Sequence, residues 1–523
     1  MTSTASTYGA QPDQDRLHLW SSTGYRSSTG WWRLRLVGLF EVVSAQLPPP
    51  APVRRRPPAA SQPDDEGSQG GQAYREQSAA EDLQFGAIAL MVRVTGHQVP
   101  SYRLGPGPDR YHGPAMSTVT PEATSLAGLE AGRQGVLPSQ LLSEAVKAGW
   151  VEAGGRPIPE DNIQPGSIDL RLGDYAYATQ FSFLPGHQTV GQKLADFKVE
   201  EIDLERGAVL EIRRPYLVPL VETLDLPAFV RGKANPKSST GRLDVFTRVI
   251  TDGSYRFDEI APGYKGQLWV EIVPLSFAVR VRSGLALNQL RLMAGRSKLS
   301  DEELWAAHQR QPLLYINGRP AGRDEFATQD GLFLSLDLKG APGGWVGYRA
   351  KRHTPLIDMS KVAEYRSRDY WETVRAERGG GVVLDEECFF LLLSEEAVQV
   401  PPDLACEMIA YDPTRGELRT HYAGFFDPGF GYDRTGLLKG SRAALEVRAH
   451  DVPFLIDHGQ HVCKLTFERM ASPPSKLYGD DIGSNYQGQV DTLSKHFRRE
   501  AGDGLESKDL VPEPQLDLFG QTS

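Results

Sequence analysis

The chain has 523 residues, 40% hydrophobic and 24% charged, with a formal net charge of −10. That length accommodates two or three domains, and the composition is ordinary for a globular protein. The acidic balance argues against broad nucleic-acid binding, which needs a basic face, but leaves room for a local basic pocket that takes a small anion.

Three cysteines, Cys388, Cys406 and Cys463, are odd in number and far apart. They make no disulfide framework and fit a reducing, cytoplasmic compartment. No apolar run is long enough to cross a bilayer. The segment Leu34-Arg35-Leu36-Val37-Gly38-Leu39-Phe40-Glu41 is too short for a span and too far from the start for a signal peptide.

Residues 1–125 carry Pro48-Pro49-Pro50, Arg54-Arg55-Arg56-Pro57-Pro58 and a Gln/Ser/Gly/Asp stretch from Ser61 to Gln72. Such composition buries too little apolar surface to offset the entropy of ordering the chain. It predicts a disordered extension, with a short ordered piece near Phe85 to Val94 and a basic tail around Arg54 to Arg56 as the functional alternative. Folded protein is expected from near Gly135. Pro138-Ser139-Gln140-Leu141-Leu142-Ser143-Glu144-Ala145-Val146 reads as a serine-capped helix.

After Gln164-Pro165-Gly166-Ser167 the texture changes. Ile168-Asp169-Leu170-Arg171-Leu172 alternates with the period of a half-buried strand. Short apolar runs then recur between Gly, Pro and Asp turns: Val209 to Ile212, Tyr216 to Val221, Val245 to Ile250, Leu268 to Val273 and Ala278 to Val281. This is the pattern of a mainly β protein, a small barrel or sandwich without βαβ units. Lys298 to Ala307 follows as a capped helix in a connector over 296–325.

The β pattern then returns. Leu332 to Leu338 resembles Ser167 to Leu172, Phe389 to Leu404 resembles Tyr216 to Phe229, Phe426-Asp427-Pro428-Gly429 resembles Ile260-Ala261-Pro262-Gly263, and Ala444-Leu445-Glu446-Val447 resembles Trp269-Val270-Glu271-Ile272. Pro402 and Glu446 both lie 175 residues after their counterparts Pro227 and Glu271. The reading is a duplicated β-domain, 126–295 and 326–500, with a few short helices and a disordered end over 501–523. Arg366 to Arg378 is expected to form a surface helix.

The residues that carry chemistry are Lys237-Ser238-Ser239-Thr240-Gly241-Arg242 and the carboxylate of Glu271 in an apolar run. Hydroxyls, cations and an acid are what is needed to hold a phosphorylated substrate and activate a water. A zinc deaminase needs His-x-Glu and Pro-Cys-x-x-Cys motifs, which the chain lacks. His458, His461 and Cys463 are read as belonging to an edge strand, with no metal.

Gln164 to Gly173 resembles the N-terminal signature of dCTP deaminases. Lys237 to Leu243 resembles that family's Arg-Ser-Ser-x-x-Arg-Leu motif, and Pro262-Gly263-Tyr264-Lys265-Gly266 with Val270-Glu271 resembles its Asp-Pro-Gly-x-x-Gly…Leu-Glu motif. Tyr478 to Gln489 is similar to its C-terminal nucleotide-closing segment. There are departures. Lys237 replaces arginine, Ala261 replaces an aspartate that Asp427 keeps in the second copy, Asn485 stands where lysine is usual, and Asp412-Pro413-Thr414-Arg415-Gly416-Glu417 replaces the second copy's serine pair.

The resemblance implies a tandem form of the trimeric dUTPase-like β-fold, with active sites between β-domains. Assembly beyond one chain, as a homo-oligomer, or packing of the two copies is then needed for activity. It implies hydrolytic deamination of dCTP to dUTP and ammonia, with Glu271 as general base and acid, Ser238 positioning the water and Arg242 orienting the carboxylate. Lys237, Ser239, Thr251, Asp252, Tyr478, Gln487 and Gln489 are the expected substrate contacts. Magnesium arrives with the triphosphate and no zinc is required. A regulatory nucleotide such as dTTP is a further candidate ligand. The alternatives are a dUTP diphosphatase using Asp252-Gly253, a bifunctional enzyme, and a non-catalytic nucleotide-binding regulator.

Overall fold

The computed structural model describes residues 125–498 except 341–343, 378, 410–417, 421–423, 450–451, 480–481, 483, 485 and 490–491, with only the backbone of 418–420. All lie within the compact unit Pro108–Ser523. The expectations for 1–124, for Asp412 to Glu417, for Asn485 and for 501–523 fall outside the described residues.

The first copy is built on eight strands: β1 (Ile168–Arg171), β2 (Tyr175–Thr179), β3 (Tyr216–Asp225), β4 (Val230–Pro236), β5 (Val245–Thr251), β6 (Glu259–Ile260), β7 (Lys265–Pro274) and β8 (Ala286–Ala294). The second copy repeats them: β9 (Leu332–Ser335), β10 (Trp345–Ala350), β11 (Phe389–Val398), β12 (Leu404–Ile409), β13 (Leu418–Thr420), β14 (Phe425–Phe426), β15 (Ser441–Ala449) and β16 (His461–Arg469). One sheet of the first copy runs β1-β8-β4-β6 and the other β2-β3-β7-β5. The second copy has β9-β16-β12-β14 and β10-β11-β15-β13 in the same order. Every one of these pairings is antiparallel, and the duplication seen as motif order is a duplication of topology.

Strand length follows from what each strand buries. Along β3 and β7, burial alternates at the exposed ends and becomes nearly continuous where the other sheet covers them. The two copies share core. Phe277 and Tyr216 of the first copy lie in one apolar cluster with Trp345, Trp371, Phe389 and Phe497. Phe277 meets Trp371 edge-on at 5.2 Å between ring centroids, a geometry worth about 0.5–1.5 kcal/mol beyond area burial.

Short helices join the strands. In α1 (Ser139–Lys147) the residue before the helix is Pro138, and Ser139 is its first member, not its cap. The Ser139 hydroxyl instead lies 2.9 Å from that of Ser475. α2 (Ser238–Gly241) connects β4 to β5. α3 (Asp301–Arg310) starts with a capping box between Ser300 and Glu303, as its sequence indicates.

Two local expectations are corrected. Arg366 to Arg378 is not a helix: Ser367–Tyr370 makes one turn, and Trp371–Arg375 is a strand beside β10. Burial of Tyr370 and Trp371 in the shared aromatic cluster overrides the charged, helix-favouring composition. The strand carrying His461 and Cys463, β16, is flanked by β9 and β12 and is no edge. Cys463 is core, and His461 stacks on Phe333 at 4.8 Å.

Candidate active site

The tight turn after β4 sets the site. Lys237 N–H donates to Leu287 O at 2.8 Å, and the Thr240 hydroxyl donates to the same carbonyl at 3.0 Å, pinning α2 to β8. Gly241 and Arg242 close the turn onto the carbonyls of Lys237 and Ser238, each at 3.1 Å. Ser238 and Arg242 are thereby delivered to one side of a cleft.

Arg242 is 3% exposed. Its Nη2 donates to Gln489 Oε1 at 2.6 Å, its Nη1 to Thr492 O at 3.2 Å, and its plane lies 3.8 Å from the Tyr486 ring centroid. Nε is buried without a hydrogen-bond partner. A guanidinium held on two edges is preorganised, since little rotamer freedom is left to lose when a ligand arrives.

The carboxylate that faces this turn is Glu446 of β15, in the second copy. Pro236, Lys237, Ser238, Gly241 and Arg242 line a cleft with Phe425, Asp427, Glu446, Tyr478, Tyr486 and Gln489. Burial pushes the Glu446 carboxyl up to about 8, with Arg242 pulling against the rise and Asp244 adding to it. Its neighbour is a glycine for steric reasons: a Cβ on Gly241 would sit 2.6 Å from Glu446 Oε2.

A second, adjoining space is lined by Gln164, Asp169, Lys237, Ser238, Ser239, Gln289, Asp427, Ser484 and Lys495. Lys237 is ion-paired to Asp169, whose carboxyl burial pushes above its ordinary range against the pull of Lys237. Burial pushes the Lys495 ammonium below its ordinary range, with Lys237 adding to the shift and Asp169 opposing it. Two ammonium groups and the serine hydroxyls thus share this space with the carboxylates of Asp169 and Asp427. Asp427 is held from the first copy: Arg291 Nη2 donates to Oδ1 and the Ser167 hydroxyl to Oδ2, each at 3.2 Å. Arg291 is fully buried and also reaches Glu468 at 3.3 Å.

The structure therefore brings Ser238, Ser239, Arg242, Lys237, Tyr478 and Gln489 together, and it places four of the expected residues elsewhere. Glu271 on β7 is buried, but its Oε2 accepts from Arg248 Nη2 at 2.5 Å and Nε at 3.1 Å. The expectation that it stands beside Arg242 is not met, because the strand facing α2 is β15. Asp252 Oδ1 accepts from Val190 N–H at 2.7 Å, and Thr251 is buried as the last residue of β5. The Gln487 amide bonds Gly431 N, Gly429 O and Tyr432 O. None of the four lines either space among the described residues.

Glu446, Asp427, Asp169, Lys495 and Tyr486 are the site residues not assigned a role from sequence. A signal for one of them, Asp427, was present. The second copy keeps Asp427 where the first has Ala261, and it keeps Glu446, whereas the hydroxyl and arginine half is intact in the first copy. The first copy keeps its own acid, Glu271, as well, so only Asp427 distinguishes the two copies on the acidic side.

Comparisons with known proteins find two family domains in tandem. Residues 133–296 match the model of the 2'-deoxycytidine 5'-triphosphate deaminase N-terminal domain, and 300–497 match that of its C-terminal domain. The solved structure of 2'-deoxycytidine 5'-triphosphate deaminase from Agrobacterium tumefaciens is 43% identical and superposes with a TM-score of 0.60, covering 66% of this chain and 100% of that one. A dCTP deaminase from Sulfurisphaera tokodaii is 28% identical over 208 residues, 39% of this chain and 100% of the relative. A "dCTP deaminase, dUMP-forming" from Halobacterium salinarum is 33% identical over 136 residues, 25% of this chain and 65% of the relative.

Proposed function

The chain belongs to the dCTP deaminase family, and from that premise we propose that it hydrolyses dCTP to dUTP and ammonia in the cleft between its two copies. The observation that carries the reading is the meeting of Ser238, Arg242 and Glu446 around one cleft.

Cytosine deamination needs water attack at C4, a proton at N3 and departure of the 4-amino group as ammonia. Glu446 takes the water's proton as the C4–O bond forms and passes it to the ring nitrogen. Glu446 then takes the remaining proton of the C4 hydroxyl and delivers it to the 4-amino group, so that the C4–N bond breaks, ammonia leaves and the uracil carbonyl forms. A carboxyl pushed up to about 8 holds its proton in most molecules at neutral pH, so the ionised fraction acts as the base, and turnover is expected to rise as pH approaches 8. Ser238 holds the water, and Arg242, fixed by Gln489 and Tyr486, stabilises the charge that develops on the ring. Lys237, Ser239 and Lys495 take the triphosphate, which arrives as its magnesium complex, and Lys237 exchanges Asp169 for a phosphate oxygen.

A second reading is favoured by the relatives named as dUMP-forming: the dUTP formed is hydrolysed further to dUMP and pyrophosphate. Incubation with dCTP and with dUTP, scoring ammonia and pyrophosphate separately, tests both. Ammonia from dCTP supports the deaminase, and pyrophosphate in addition supports the bifunctional enzyme. No ammonia from dCTP would refute the proposal.

A further inference from the structure

Two charged pairs cross the interface between the copies side by side. On the first copy Arg242 is followed two residues later by Asp244. On the second, Glu446 is followed two residues later by Arg448, on the same face of β15 because strand side chains alternate. Arg242 faces Glu446 across the cleft. Arg448 Nη2 donates to Asp244 Oδ2, with both side chains at most 3% exposed. The order of charges is reversed between the two sides, so a slip of one pair forces a slip of the other.

Asp244 is fixed by more than this partner. Its backbone is left-handed, with φ 55°, and its N–H donates to Gly241 O at 2.8 Å. Its carbonyl accepts from Leu275 N–H at 2.9 Å, and Ser276 Oγ donates to Oδ2 at 2.5 Å. Arg448 is in turn gripped by Glu387, whose carbonyl accepts from Nη1 and whose carboxylate lies 3.8 Å away.

We propose that Asp244 is a positioning residue for deamination: its buried pair with Arg448 sets the register in which the Glu446 carboxylate meets Arg242 and the Ser238 hydroxyl. The inference rests on the reading of Glu446 as the acid–base group. The pair also acts electrostatically. The groups around Glu446 are Arg242, Asp244 and Lys237 from the first copy, Asp427, Tyr478 and Tyr486 from the loop and C-terminal segment that close the cleft, and Arg448 on its own strand. Burial chiefly holds the Glu446 proton on, Arg242 opposes it, and Asp244 adds to it.

The test is the pH profile of kcat/KM for dCTP in the full chain, for wild type, Asp244→Asn, Asp244→Asn with Arg448→Met, and Glu446→Gln. Asparagine tolerates the left-handed backbone, and the double variant removes both buried charges at once, so that neither is left unpaired. In Asp244→Asn the acidic limb is expected to move down by about one pH unit. The plateau kcat is expected to fall about tenfold with KM nearly unchanged, as misplacement of a catalytic group does. The double variant shifts the same way by less. A purely structural role lowers the amount of folded enzyme and leaves the limb where it is. A folded variant of either kind with the wild-type limb and plateau overturns the proposal, and so does failure of both to fold, which would make the pair a folding device. Substantial activity in Glu446→Gln would instead overturn the underlying reading of the acid–base group.

Discussion

Gly241 and Glu446 approach so closely that the smallest side chain does not fit between them. A Cβ on Gly241 would lie 2.6 Å from Oε2, 2.9 Å from Cδ and 2.9 Å from Oε1. The obstructed atoms belong to the free end of a side chain, so Gly241→Ala is accommodated by swinging the carboxylate away. The expected result is a folded protein with an almost unchanged melting temperature and at least a hundredfold loss of kcat, since about 1 Å of misplacement costs that much. Calorimetry and ammonia release on the same preparation check it.

Exchanging the two homologous acids separates their roles. Glu446→Gln abolishes turnover and leaves dCTP binding in place. Glu271→Gln leaves turnover near wild type and destabilises the protein, because Arg248 loses the carboxylate it is bonded to. Steady-state kinetics and urea unfolding of the pair decide the assignment, and a reversed outcome returns the chemistry to the first copy's acid.

Glu446 also ties stability to pH. Its folded-state value of about 8 lies above the ordinary carboxyl range, so between about pH 4.5 and 8 the folded state holds a proton that the unfolded chain releases. Its contribution to stability therefore declines as pH rises through that window, by an amount of order a few kcal/mol. Glu446→Gln removes this term. The melting temperature of the variant should match wild type near pH 5 and exceed it above pH 8.

Lys495 stands with Lys237 around the second space, and its role is read from phosphate dependence. Lys495→Met is expected to raise the KM for dCTP about tenfold, the worth of one charge-assisted hydrogen bond, with kcat less affected. Inhibition by deoxycytidine monophosphate, which lacks the outer phosphates, should be unchanged.

Arg291 is the anchor of the interface. Its replacement by methionine leaves Asp427 and Glu468 buried without their shared cation, at a cost of about 3–5 kcal/mol. Urea denaturation should show the full loss, and Arg291→Met with Glu468→Gln should recover part of it.

Much of this architecture was legible in the sequence, because period-two alternation and the order of motifs report on strands and their repetition directly. Ser238, Arg242 and Lys237 were legible for the same reason: one short segment carries them. The identity of the facing acid was not, since sequence order cannot say which copy's strand comes to lie against α2, and Glu271 and Glu446 sit at equivalent places in equivalent strands. Asp427 carried the answer in retrospect, as the aspartate of its motif survives in the second copy alone. The misread helix after Arg366 has a different cause. Its residues look solvated in isolation, and the aromatic rings that recruit Tyr370 and Trp371 come from Phe277 and Phe497, about a hundred residues away on either side.

Because β15 brings its acid to a hydroxyl and guanidinium carried more than two hundred residues upstream on the same polypeptide, dilution does not part them. Each copy is also released from keeping what its sibling provides. An arginine now neutralises Glu271 in the first copy, and a substitution survey should find each half tolerant where the other is strict.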